Sequence, residues 1–474
     1  MKPSTQRLGE IVAPRRAKVS PQEYPGLPFV GLEHVEAHTT RLLGTVPATE
    51  MRSTANHFQT GDVLYSRLRP YLNKVWRADR EGLCSSEFIV LPPNERVDSD
   101  YIRYRLNAHD FVSFANHLNT GDRPRVDFEQ ISTFQTWLPK SLLEQRRIVA
   151  EIEKQFTRLE AGVAALRRVQ ANLKRYRAAV LKAACEGCLV PTEAELAGRV
   201  PSRGVRGKTK NAASGDAAYN DPKYETGEQL LARILTERRQ TWQGRGKYRE
   251  PVEPDTSGLP ELPDGWTWAT IEQLSTRVQY GSSAKTTEDS TGIPVLRMGN
   301  IQDGKFDFDK LKYLPRAHDE FPELLLARGD LLFNRTNSAE LVGKTAVFKE
   351  TPQPCSFASY LIRVRFGGGC VADFVSYFIN SVLGRARIAD VVSQQVGQAN
   401  VNGTKLQALT TPLPPIAEQE RIVAEVERRL SVVEELEAVL SVNLQRATRL
   451  RQAILQKAFS GNLGATAQTP RGAK

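Results

Sequence analysis

Histidine, cysteine and methionine are scarce, at six, five and three residues in a chain of 474. The cysteines (Cys84, Cys185, Cys188, Cys355 and Cys370) are odd in number and widely spread, which points away from a disulfide framework. Cys185 and Cys188 make a lone Cys-x-x-Cys with no second Cys or His pair at finger spacing, so they read as small residues at a helix end rather than a zinc or redox site. His34 and His38 are four apart but lack the following Glu of a metalloprotease helix, and the six histidines offer no Ser/His/Asp constellation. Gly343-Lys344-Thr345 resembles the end of a phosphate-binding loop, but its first glycine would fall at Ser338. No Asn-Pro-Pro-aromatic or Asp-Pro-Pro-aromatic tetrapeptide is present, so the amino-methyltransferase signature is missing. No apolar run approaches the roughly 20 residues that cross a bilayer. The Met1–Arg7 start is followed by no apolar segment of secretory type. A cytoplasmic protein without a membrane partner, and without catalysis of its own, is the expectation.

Hydrophobic residues at 40% and charged residues at 25% place the chain among folded proteins, long enough for two or three ordinary cores. Its formal net charge of +11 favours a polyanionic partner, a weak signal until architecture is added.

Self-similarity supplies that architecture. Glu144-Gln145-Arg146-Arg147-Ile148-Val149-Ala150-Glu151 recurs as Glu418-Gln419-Glu420-Arg421-Ile422-Val423-Ala424-Glu425, an offset of 274 that holds without a gap to Leu189 and Leu463, with 18 of 46 pairs identical. In both copies apolar residues step by three and four, the spacing of a coiled-coil seam. The first seam runs Ile148, Ile152, Phe156, Leu159, Val163, Leu166, Val169, Leu173, Tyr176 and Val180. The second runs Ile422, Val426, Leu430, Val433, Leu436, Leu440, Leu444, Ala447, Leu450 and Ile454. Ser141 with Glu144 has the form of a capping box, Pro414-Pro415 marks the second start, and Gly187 and Gly461 sit where helices stop. Each helix should reach about 65 Å at 1.5 Å per residue.

The segments before the helices correspond as well. Gly61-Asp62-Val63-Leu64-Tyr65-Ser66-Arg67 matches Gly329-Asp330-Leu331-Leu332-Phe333-Asn334-Arg335, each a turn and a buried strand. Pro28–Val35 parallels Pro294–Ile301, Asp100–Tyr104 parallels Asp373–Tyr377, and Gly121–Val126 parallels Gly397–Val401. The unit is a globular domain followed by a helix, used twice. Between the units, residues 191–220 are rich in Gly, Ala, Ser, Arg and Lys, and Thr226–Arg239 reads as a short amphipathic helix.

These motifs, together with Leu262-Pro263-Asp264-Gly265-Trp266, carry a resemblance over some 460 residues. The chain resembles the specificity subunit of a type I restriction–modification enzyme. The resemblance implies an α+β protein: two α/β target recognition domains separated by two long antiparallel coiled-coil helices, in a pseudo-two-fold repeat. The expected domains are 1–140 and 261–413 for recognition, 141–190 and 414–463 for the helices, 191–260 for a flexible linker and 464–474 for a disordered tail. Each recognition domain would read half of a split double-stranded DNA sequence, with the helices as a ruler. Two methyltransferase subunits would dock, with endonuclease/translocase subunits outside them. No cofactor is expected on this chain; S-adenosylmethionine, ATP and Mg belong to the partners. A recognition subunit of a related modification system and a coiled-coil protein scaffold are the alternatives.

Candidate DNA contacts follow from side-chain type, since Arg pairs with guanine, Asn or Gln with adenine, and Lys or Arg with phosphate. They are Arg67, Arg69, Lys74, Arg123 and Arg125 in the first domain. In the second they are Arg297, Asn300, Arg335, Asn337, Lys344, Gln394, Gln395, Gln398, Asn400 and Asn402. Arg67 and Arg335 hold the same place in the repeat, which suits a structural role as well as a phosphate contact. Asp62 and Asp330 belong to the turn. Arg146, Arg147, Glu151, Arg421 and Glu425, on outward faces near the helix starts, are candidates for partner docking.

Overall fold

A computed structural model of the chain describes residues 5–118, 122–198, 224–242, 246–338, 341–349, 351–395 and 398–460. Linker residues 199–223, the tail 464–474, and Gly121, Gly397 and Gly461 lie outside the described residues. The chain forms two compact units, Met1–Val169 with Ala438–Lys474, and Gln170–Glu437.

The first unit opens with strand Thr5–Arg7, which pairs antiparallel with Gln135–Trp137 just before the first long helix. Strand Pro28–Val30 runs parallel to Gly82–Ser85 in a five-stranded sheet. Strand Val63–Ser66, buried throughout as its Val-Leu-Tyr run requires, lies between Val75–Arg77 and Phe88–Leu91. Helices Ser99–Asn107 and His109–His117 pack beside it, the first started by the Asp98 carboxylate accepting from Asp100 and Tyr101 N–H.

The second unit repeats this order. Thr267–Thr270 pairs with Thr410–Leu413 before the second long helix. Ile293–Leu296 runs parallel to Ser356–Phe357. Leu331–Asn334 sits between Thr345–Val347 and Leu361–Phe366, and Ala372–Asn380 and Val382–Val391 are the paired helices. The linker helix Gly227–Gln240, capped by Thr226 and Gln229, buries Leu230 and Ile234 against Ala269, Leu274 and Leu413.

The equivalent turns are built alike. Gly61 and Gly329 both have φ +89°, a conformation that favours glycine. The aspartate that follows each is buried and bound by an arginine fork. Arg15 meets Asp62 at 3.0 and 3.1 Å, and Arg365 meets Asp330 at 2.7 and 2.7 Å. The two arginines come from different places in the chain, so sequence comparison of the repeats does not find them.

The long helices are Leu142–Cys185 and Ile416–Phe459, 44 residues each. Ser141 Oγ accepts from Leu143 N–H at 3.2 Å. At the far end Gly187 has φ +64°, and Cys188 N–H reaches back to Ala183 O at 2.8 Å, a Schellman closure. A Cβ on Gly187 would also lie 2.5 Å from Pro263 Cγ. Cys185 is buried in the second domain's core, and burial pushes its thiol up to about 12.

In each unit the start of one long helix lies beside the end of the other, antiparallel. Ile148, Ile152 and Phe156 share a core with Ile454, Leu455 and Phe459 in the first unit, and Val180 and Leu181 with Ile422, Val426 and Leu430 in the second. The expected seam is not buried throughout: Val169, Tyr176, Leu436 and Leu450 are 44–51% exposed. A second helix covers only one side of a seam residue. Several of the buried ones also meet a globular domain, as Phe156 meets Tyr104 and Ile422 shares a core with Trp266 and Phe374.

A single side chain fastens each domain to its helix. Gln145 is wholly buried in the first turn; its Oε1 accepts from Asp98 N–H at 2.9 Å and its Nε2 donates to Arg96 O at 3.1 Å and Pro139 O at 2.9 Å. Gln419 repeats the arrangement with Val371 N–H at 2.8 Å, Gly369 O at 3.2 Å and Pro414 O at 2.8 Å. Truncating either removes three hydrogen bonds to the backbone, one of them buried and two part-buried. Q145A and Q419A should each lower stability by about 1–3 kcal/mol, read as an earlier urea midpoint; unchanged midpoints in both would show that the clamp does not hold the domains.

Candidate nucleic-acid interface

In the first unit the chain leaves strand Val63–Ser66 at Arg67 and is met by the returning segment before helix Phe128–Ser132. Arg67 N–H donates to Glu87 O at 2.9 Å, and Val126 N–H donates to Arg67 O at 3.0 Å. Leu68 bridges Arg125, and Arg69 N–H reaches Pro124 O at 2.8 Å. These bonds bring Arg67, Arg69, Arg123 and Arg125 to one edge. Arg67 and Arg125 line a cleft of about 470 Å³ with Arg15, Arg16, Lys18, Asn56, Glu87, Asp127 and Glu129. Arg69, Arg123 and Arg125 are exposed. The Nε of Arg67 is buried with no hydrogen-bond partner among the described residues. Lys74 is held elsewhere, its ammonium donating to Leu32 O at 2.6 Å, and burial lowers its pKa.

Arg16 and Lys18 were missed by sequence reasoning, although the run Arg15-Arg16-Ala17-Lys18 was a visible signal. No motif in the repeat marked that strand as neighbour to Arg67.

The second unit has the same frame with other side chains. Arg335 N–H donates to Tyr360 O at 3.1 Å and Val401 N–H to Arg335 O at 2.9 Å. Strand Thr336–Asn337 pairs with Gln398–Asn400, which pairs in turn with Ser393–Gln395. Thus Asn400 stands where Arg125 stands in the first unit, and Asn337 where Arg69 stands. The Arg335 guanidinium lies 4.9 Å over the Tyr280 ring, and Gly403 N–H donates to Tyr280 Oη at 2.7 Å. Asn337 reaches Met298 Sδ at 3.5 Å, which puts the Arg297–Asn300 turn alongside. The side chains of Gln394, Gln395 and Gln398 lie outside the described ones.

Three candidates are engaged in building this frame. Asn300 is buried, accepts from Arg297 N–H at 3.0 Å and donates to Asp307 O and Asp309 O at 2.8 and 3.2 Å. Asn402 caps helix Gly403–Gln407 by accepting from Lys405 N–H, as Asp127 caps the helix in the first unit. Arg297 donates to Lys310 O at 2.8 Å. Lys344 lines a different cavity of about 740 Å³, with Arg177, Phe306, Tyr377, Arg385 and Glu427.

At the helix starts, Arg147 is exposed and Arg146 lies 3.4 Å from Asp98. Gln155 donates to Glu151 at 3.0 Å and lowers its pKa. Arg421 pairs with Glu193 and donates to Pro191 O at 3.2 Å. Hydrogen bonds from Arg428 and Arg429 hold the Glu425 carboxyl down at about 2. Glu418 differs from its repeat partner, the exposed Glu144: it is wholly buried, accepting from Trp266 Nε1 at 2.9 Å and Glu193 N–H at 3.0 Å.

Comparisons with known proteins point to one kind of protein. Residues 263–438 match the family model for the type I restriction modification DNA specificity domain. The chain is 31% identical over 197 residues to the type I restriction enzyme EcoKI specificity subunit of Escherichia coli strain K12, covering 41% of this chain and 42% of that one. The similarity is to type I specificity subunits. It is also 25% identical over 204 residues to the putative type I restriction enzyme MjaX specificity subunit of Methanocaldococcus jannaschii, covering 43% and 47%. The chain thus spans less than half the length of these curated relatives. A solved structure from work on complex assembly and conformational transition of the type I R-M system matches over 97% of this chain and 98% of its own, with TM-score 0.63 and 18% identity, a likeness of fold. No helix among the described residues is long and apolar enough to cross a membrane.

Burial of Glu418 raises its pKa from 4.5 to about 7. Below pH 4.5 folded and unfolded chains are both protonated there. Between 4.5 and about 7 the unfolded chain ionises first, so stability should fall as pH rises through that window and level off above it. E418Q should flatten this part of the stability–pH curve, measured by urea unfolding at stepped pH.

Proposed function

We propose that this relative of the specificity subunits is a DNA-recognition subunit without catalysis of its own, whose two domains each read one half of a bipartite double-stranded target. The observation that carries the reading is a frame used twice with different side chains at matching places. Arg69 and Arg125 in one domain stand where Asn337 and Asn400 stand in the other. A frame built alike supports like placement on DNA, and differing Arg and Asn side chains suit different base edges.

The long helices set the spacing between half-sites and dock two methyltransferase subunits, with endonuclease/translocase subunits joining them. Arg146, Arg147, Glu151, Arg421 and Glu425 are the docking candidates, Arg147 being exposed at a helix start. S-adenosylmethionine, ATP and Mg act on those partners. In the cytoplasm the net charge of +11 draws the chain towards DNA.

Phosphate contact falls to Arg16 and Lys18, exposed on the rim of the first domain's cleft, and to Arg67 and Arg335. R16A and K18A should each weaken binding to all duplexes alike and reduce the slope of log affinity against log salt by about 1, measured by titration at stepped salt. Co-expression of the chain with a type I methyltransferase subunit, followed by mapping of methylated adenines, should give one bipartite motif with a fixed gap. A modification pattern unchanged when this chain is deleted would discard the specificity reading in favour of a protein scaffold.

A further inference from the structure

We infer that Arg69 reads a guanine in the half-site of the first domain, and that its left-handed backbone is kept for that contact at the expense of the fold's stability. The inference rests on the DNA-recognition reading above and adds a base identity to it.

Arg69 has φ 51° and ψ 66°. In that conformation an L side chain crowds the carbonyl that follows, and arginine lacks the short polar group with which Asn or Asp offsets the crowding. Pro70 comes next, and a residue before proline is pushed towards extended backbone as well. Glycine would adopt the same turn at less cost. The duplicated frame does not demand the conformation, since Asn337, at the matching place, lies in strand Thr336–Asn337 and pairs with Ala399.

The turn is held from both sides. Arg69 N–H donates to Pro124 O at 2.8 Å, and Arg69 O accepts from Leu72 N–H at 2.9 Å. The turn Pro70–Leu72 closes on Asn73, also left-handed at φ 47°, whose backbone N–H donates to Pro70 O at 2.9 Å. The buried Asn73 side chain donates to Asn107 O at 3.0 Å. The Arg69 side chain placed in this way makes no bond that holds the fold. It is exposed, and its guanidinium has no hydrogen bond, ion pair or ring contact among the described residues.

A strained backbone that carries an unengaged side chain points to a ligand. The Leu68–Arg125 bridge and the Arg69–Pro124 bond set Arg69 beside the cleft that Arg67 and Arg125 line. A phosphate asks only for charge, which a flexible side chain on ordinary backbone supplies. A base edge asks for a fixed origin and direction, and the planar guanidinium fork matches O6 and N7 of guanine.

The test couples binding to stability in full-length R69A and R69G. Duplexes are selected from a random library at fixed salt, and each variant is unfolded in urea. The wild type should enrich a motif with an invariant guanine in one half. Both variants should lose the guanine preference roughly ten- to a hundred-fold at that position alone. R69A should keep the wild-type urea midpoint, and R69G should raise it by roughly 0.2–0.5 M, because it removes the crowding and no bond. An even loss at all positions would make Arg69 a phosphate contact and overturn the base assignment. Preference unchanged in both variants would remove Arg69 from the interface. A midpoint lowered in both would make Arg69 structural and overturn the claim that its backbone is kept for DNA. A wild-type library that enriches no motif would overturn the recognition reading itself, and this inference with it.

Discussion

Each half of this protein depends on one buried glutamine in the first turn of a long helix. A helix start leaves backbone groups unsatisfied, and a globular domain resting on it must bury more of them. Gln145 and Gln419 answer this with an acceptor for one amide and donors for two carbonyls, so the amide side chain stands in for a short piece of sheet. A glutamate there could not donate, and a leucine could do neither. The clamp sets where the globular domain sits on its helix, and the apolar seam then buries what the clamp has aligned.

On that constraint the two copies have diverged wherever the fold permits. The buried aspartate of the turn is kept, but its arginine comes from the loop before strand Lys18–Val19 in one copy and from strand Leu361–Phe366 in the other. Glu418 has been drawn into a buried bond with Trp266, whereas Glu144 stays in water. The turn, the parallel strand pair and the capped helix after the returning segment are common to both. Side chains facing the cleft are not.

Most of the architecture was legible in the sequence because the repeat doubled every signal. Two weak helix patterns at one offset, and two Gly-Asp-hydrophobic strands before them, fixed element order and helix ends to within a residue or two. What periodicity could not supply was the other side of each residue. Val169 and Leu450 have the spacing of seam residues yet lie exposed, and spacing does not report that. The candidate interface was legible in part. Arg67 and Arg125 come together in the cleft and Asn337 and Asn400 lie on adjoining strands, because the repeat paired those segments. Asn300 was chosen for its amide, and that amide is spent on a loop. Lys344 lies one residue before strand Thr345–Val347, but which cavity it lines depends on helix residues far away in sequence. Arg16 and Lys18 reach the cleft through tertiary pairing of strand Lys18–Val19 with Ala55–Phe58, a contact no local pattern announces.

The partners of the two clamping glutamines are all main-chain atoms, belonging to Asp98, Arg96 and Pro139 in one half and Val371, Gly369 and Pro414 in the other. Main-chain atoms are the same whatever the residue. The clamp therefore tolerates any side chain at these positions, while the apolar contacts beside it, Tyr104 on Phe156 and Trp266 and Phe374 with Ile422, still tie each domain's side chains to its helix. Heredity gains a fastening that is indifferent to the residues it grips: side chains away from the apolar contacts can change without any compensating change in the glutamine that holds the domain.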